Sequence, residues 1–196
     1  MGTDWKVIWG LLRKDINMIC FLMAAASVGV VMVLWGDNRI YMAIGGAISM
    51  IPAAYLDSQY YKLYHRLTLG MLLWGLFLSL ILEIFAPANQ LITALSGLIC
   101  MGIMFGFLYF FTGQIGFGDV CYGVALGTFL GWQGSIVAFV LTFALGLVAA
   151  LREYVYHVCY GKWRRRKLPL GPFMACGTYI SLLCGQELLE WYTGIC

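Results

Sequence analysis

Seven predominantly apolar stretches, separated by short polar breaks, leave this chain few folds to choose from. They run over 16–35, 40–56, 67–85, 91–111, 120–132, 135–151 and 169–191. A helix needs about 20 such residues to cross a bilayer core, and only 120–132 falls well short. In lipid every backbone polar group must be satisfied within the protein, so spanning segments are helices or closed barrels. The strict alternation of barrel strands is absent. The expected fold is all-α: a polytopic transmembrane helix bundle of about seven membrane segments, forming one integral-membrane domain over 1–196. Composition agrees, at 62% hydrophobic and 11% charged residues, where a soluble domain has about half and about a quarter. A net charge of +3 gives no reason to expect a nucleic-acid partner.

Charge placement sets the expected orientation. With the N-terminus cytoplasmic and all seven stretches crossing, eleven of the twelve basic residues lie inside and Arg39 alone lies outside. That is the positive-inside pattern. Residues 1–15, with Lys6, Arg13 and Lys14 among Trp5, Val7 and Ile8, are expected to form an interfacial helix and not a cleavable signal. Arg164, Arg165, Arg166 and Lys167 are read as a topology signal in contact with membrane lipids. The short stretch 120–132 is the weak point, and it is repaired if the span begins inside the polar break at 113–119.

Two aspartates stand out against this background. Asp119 ends the sequence Gly116-Phe117-Gly118-Asp119, and Asp57 ends the second stretch. The topology places both on the cytoplasmic side. A carboxylate at membrane depth marks a functional site by default. Steps of four from Asp119 meet Gly123, Gly127 and Gly131; steps back from Asp57 meet Ala53, Ser49 and Gly45. Small residues at this spacing let membrane helices approach closely. The expectation is that these two stripes pack against each other and bring the two carboxyls together.

Adjacent carboxyls do not ionise independently, so such a pair shares one proton. The ionised member can activate water and the protonated member can donate to a carbonyl oxygen or a leaving amine. The pair would need no metal and no cofactor. On these residues alone a second reading stays open, a proton or cation path through a transporter. Serine chemistry is disfavoured, because Ser96 lies near the outer face while His65 and His157 lie near the inner one. The seven cysteines include no CxxC pair and there is no HExxH, so zinc is not expected.

These motifs resemble the type IV prepilin peptidases, bacterial members of the GxGD aspartyl proteases. Asp57 is followed by Leu67 and Thr68 at the family's distances, with Tyr64 where proline is usual. Gly116 to Val120 match the family's GxGDV, with Gly127, Gly131 and Trp132 following in register and Cys121 in place of a lysine. Pro169, Gly171, Pro172 and Phe173 match a PxGPF block, the supporting motif. The resemblance implies catalytic Asp57 and Asp119, with Gly116, Phe117 and Gly118 forming an active-site loop. It implies an endopeptidase of the bacterial inner membrane that removes basic leaders, usually after glycine, from prepilin-like substrates at the cytoplasmic face. Larger members also N-methylate the product and carry a CxxC loop; that loop is missing from this sequence, so methylation is not expected. A non-catalytic membrane assembly protein descended from such a peptidase is the other reading that the resemblance leaves open.

Overall fold

A computed structural model describes residues 15–34, 40–85, 89–160 and 169–194. The expected interfacial helix before Asp15, the turn holding Arg39 and the basic segment Arg164 to Lys167 lie outside the described residues. Among the described residues every regular element is helical: α1 (Ile16–Val33), α2 (Ile40–Tyr60), α3 (His65–Phe85), α4 (Gln90–Thr112), α5 (Phe117–Tyr160) and α6 (Leu170–Thr193). Four of these, α2 to α5, are long and apolar enough to cross a membrane. α1 and α6 carry shorter apolar stretches, Met18–Val31 and Leu170–Gly185.

The boundaries follow local chemistry. α2 runs past the end of its apolar stretch to Tyr60, so Asp57 sits inside the helix and not beyond it. Pro52 is held within α2, tolerated in membrane helices where neighbours compensate for the lost donor. α4 stops at Gly113, whose left-handed backbone (φ 59°) donates its N–H to the Tyr109 carbonyl at 3.2 Å, a cap geometry that favours glycine. α5 begins at Phe117, three residues before the apolar stretch. This is the earlier start that the short fifth stretch requires.

α5 is not one straight rod. Its helical dihedrals fail at Gly131 (φ 68°, ψ 177°), a conformation that only glycine adopts readily. On α4, Phe105 lies where a methyl on Gly123 would fall 2.7 Å from its ring, and the same ring meets Phe139 edge-on at 5.2 Å. Sixteen residues of straight helix would hold those two positions about 24 Å apart. The chain therefore doubles back at Gly131, and α5 is two antiparallel arms, 117–130 and 132–160. The second arm descends along α6: a methyl on Gly177 would lie 2.8 Å from Thr142 Oγ1, and Ser181 donates to the Gly134 carbonyl at 2.7 Å.

The core lies where α2, α6 and the first arm of α5 meet, around Met50, Tyr122, Leu126, Phe129 and Met174. α4 packs on the first arm backbone to backbone: a methyl at Gly97 would collide with the Gly127 carbonyl oxygen. Outside, large apolar side chains such as Phe21, Ile84, Ile103 and Phe110 are exposed. Exposure on this scale suits lipid as solvent, not water.

Candidate active site

Asp57 lies one turn before the end of α2. The Tyr61 N–H donates to the Asp57 carbonyl at 2.9 Å and Tyr61 itself takes a left-handed backbone (φ 54°), which ends the helix there. The Asp57 side chain is buried, at 6% exposure. Its Oδ2 accepts a hydrogen bond from the Gly171 N–H at 2.8 Å. Gly171 is the second residue of α6, after Pro169, whose extended backbone (φ −67°, ψ 123°) caps the helix start. First-turn amides have no acceptor within their own helix, so this N–H is available to a neighbour. A Cβ at position 171 would lie 2.6 Å from Asp57 Oδ2 and 2.9 Å from Asp57 Cβ. Glycine is therefore required by close approach. Pro172 suits the same turn because its missing N–H would have gone unused.

Asp119 is the third residue of α5. The Gly116 carbonyl accepts the Asp119 N–H at 3.0 Å, and the Gly116 N–H donates back to Asp119 Oδ2 at 3.2 Å. This is the return half of a capping box. Gly118 lets the 61–64 link pass close by, since a Cβ there would sit 3.2 Å from Leu63 Cβ. Phe117 points outward and packs its ring 5.7 Å from His65 and 6.0 Å from Tyr109.

The two aspartates line one open cleft of about 1110 Å³ at the same end of the bundle. Its walls are the 61–66 segment, Gly113 to Gly116 with Gly118, Phe143 from the second arm of α5, and Pro169 with Leu170. The carboxyls are close enough to interact electrostatically. Each has Oδ2 tied to a backbone amide at a helix start, and among the described residues no hydrogen bond engages its other oxygen. Lys62 and Arg66 bring positive charge to the same cleft, which His65 also lines. Among the described residues no three His, Cys, Asp or Glu side chains gather to hold a metal ion.

Both aspartates line one cleft, but the two stripes do not pack against each other as the spacing suggested. The stripe from Asp119 turns away from α2. Gly123 faces Phe105 and Met174, Gly127 faces the backbone of Gly97, and Gly131 faces Thr93. The stripe from Asp57 has different neighbours again. A methyl on Gly45 would collide with Leu78 of α3, the Ser49 hydroxyl returns to the Gly46 carbonyl at 3.1 Å, and Ala53 is fully buried. What joins α5 to α2 is large, not small. The Tyr122 hydroxyl donates to the Met50 carbonyl at 3.0 Å, and Phe129 packs where a methyl on Gly46 would be 3.2 Å from its ring. Small-residue spacing marks a face for close approach without naming the partner, and here α4 and α3 take those faces.

Of the two departures from the family pattern, Tyr64 lies on the cleft wall, whereas Cys121 is half-buried and outside it. Sequence reasoning missed the Gly171 amide and Phe143. Pro-x-Gly-Pro was legible as a helix start, but nothing along the chain pairs it with Asp57.

In this helical bundle the GxGD and PxGPF motifs both border the end-cleft that holds the two aspartates. The chain belongs to the type IV leader peptidase family, whose model matches residues 44–151. It is similar to the prepilin leader peptidase/N-methyltransferase of Aeromonas hydrophila, at 26% identity over 180 residues, covering 89% of this chain and 60% of that one. The protein of the same description from Burkholderia pseudomallei (strain K96243) is 30% identical over 176 residues, covering 82% and 52%. That from Legionella pneumophila is 25% identical over 148 residues, covering 74% and 50%. The chain thus spans between half and 60% of the length of these curated relatives. No solved structure matches it.

Proposed function

We propose that this protein is an aspartyl endopeptidase of the bacterial inner membrane that cleaves basic leaders from prepilin-like precursors at the cytoplasmic face. The observation that carries the reading is the shared cleft. Two carboxyls open onto it, each held by one oxygen and each with the other unengaged among the described residues. A transporter path would use carboxyls along a route. A hydrolytic pair needs both at one substrate.

The chemistry balances on the two side chains alone. The ionised carboxyl takes a proton from water, whose oxygen bonds the scissile carbonyl carbon. The protonated carboxyl passes its proton to the carbonyl oxygen, giving a gem-diol. A gem-diol hydroxyl then returns its proton to the second carboxylate, the first carboxyl protonates the leaving nitrogen, and the C–N bond breaks. Both carboxyls end as they began.

Seven crossings with a cytoplasmic N-terminus fit the two-armed α5 and the basic residues. The helices alternate in direction, with Asp57, Asp119 and Pro169 at one end and Gly131, Gln90 and Gly185 at the other. Cysteines introduced within 164–167 should resist an impermeant thiol reagent applied to intact cells. Strong labelling there would reverse the orientation.

The function is tested by co-expression with a prepilin-like precursor carrying a basic leader. Conversion to the shorter form is expected. If the precursor remains full length beside well-expressed protein, and also in a purified mixture, the peptidase reading fails.

A further inference from the structure

Resting on the peptidase reading, we infer that Gly171 is a positioning residue that makes Asp57 the water-activating base and leaves Asp119 as the proton donor. Both carboxyls accept one backbone amide, but the two amides differ. That from Gly171 is shorter, at 2.8 Å against 3.2 Å, and comes from another helix, 114 residues away in sequence. It also acts on a residue that is itself buried. A hydrogen bond to a charged acceptor gains strength where water is excluded. Burial works against a charge on either carboxyl. Each meets the positive start of a helix, α6 for Asp57 and α5 for Asp119, so the bias lies in the shorter bond from Gly171. The Gly116 amide belongs to the cap of Asp119's own helix, and Asp119 stays open to the cleft, where it can meet a carbonyl oxygen.

Other groups around Asp57 do not reproduce this bias. Lys62, Tyr61 and Tyr64 on the link and His65 and Arg66 on α3 line the cleft that both carboxyls share. Tyr122 on α5 has its hydroxyl committed to Met50. Residues 169–173 of α6 carry no titratable side chain, so α6 acts there through its backbone.

In the cycle above, Asp57 is then the first carboxyl. It takes the proton from water and later gives it to the leaving nitrogen. Asp119 is the second; it gives its proton to the carbonyl oxygen and recovers one from the gem-diol.

The test replaces the amide of Gly171 by an ester, using glycolic acid at position 171 of the full chain made by cell-free translation into nanodiscs. The N–H lost has no acceptor within α6. The ester also weakens the Leu170 carbonyl as an acceptor within the helix, so the melting temperature is measured alongside and should fall only slightly. On the acid side of the bell-shaped profile, kcat/KM for a prepilin-like precursor should fall at least roughly tenfold, the worth of a hydrogen bond to a charged group. The alkaline limb should stay in place. A drop of equal size at every pH, or movement of the alkaline limb, overturns the assignment. Gly171→Ala, which pushes Asp57 aside, should lose activity at every pH.

A second measurement needs no substrate. Infrared titration of labelled carboxyls should show that the carboxyl kept in Asp119→Asn ionises at lower pH than the one kept in Asp57→Asn. The ester should move only the former. The opposite order overturns the base assignment. Wild-type protein that shows the expected titration but cleaves no precursor would instead overturn the peptidase reading.

Discussion

Asp57→Asn and Asp119→Asn should each abolish precursor cleavage while leaving the fold in place. Asn has nearly the size of Asp, and its carbonyl oxygen can accept the Gly171 or Gly116 amide as the carboxylate does. It cannot exchange the proton that the mechanism passes between the two groups. Loss of a positioned acid or base costs roughly a hundred- to ten-thousandfold in rate, enough to leave no product in a co-expression assay. The double variant should be scarcely worse than either single one, because residues that act as a unit are not additive. The wild-type pH profile should be bell-shaped and report the pair. Cleavage kinetics on purified protein with a matched precursor measure all three. If Asp57→Asn cleaved at near wild-type rate, the two-aspartate mechanism would be wrong.

The largest effect on stability should come from Gly97→Leu or Gly127→Leu. Position 97 meets the Gly127 carbonyl and lies 2.8 Å from the Gly131 backbone nitrogen by the measure of an added methyl. These neighbours are main chain, so no rotamer change relieves a collision. Ser135 also closes over this contact, donating to the Gly131 carbonyl at 2.6 Å and the Gly97 carbonyl at 3.4 Å. Overpacking a well-filled core costs about 1–3 kcal/mol for small insertions, and a leucine between two backbones should cost about 3 kcal/mol or more. Without a hydrophobic force between helices in lipid, association depends on such close packing. Both variants should unfold in detergent at clearly lower temperature than wild type. Gly106→Leu, at a position with nothing within 4 Å of an added methyl, serves as the control and should change little. Unaltered melting of Gly97→Leu would show that α4 does not pack here.

The contrast between Gly97 and the two stripes shows what could be read along the chain. Helical class came from the apolar stretches, because lipid leaves the backbone no other way to satisfy its polar groups. The early start of α5 was legible too, since thirteen apolar residues are too few to cross. Asp57 and Asp119 stood out because charge at membrane depth is expensive and therefore rare. These are local properties of a segment and its solvent, and sequence by itself determines them. Which helix takes which face is not local. The glycines after Asp119 could have met α2 as easily as α4. The choice fell to α4 because Gly97 offers an equally bare backbone, while Tyr122 and Phe129 on the adjoining face fill the space over α2. The same holds for Gly171, whose amide reaches a carboxyl 114 residues away. Its motif announced a helix start, but only tertiary packing decided that the unused N–H of that start would hold Asp57.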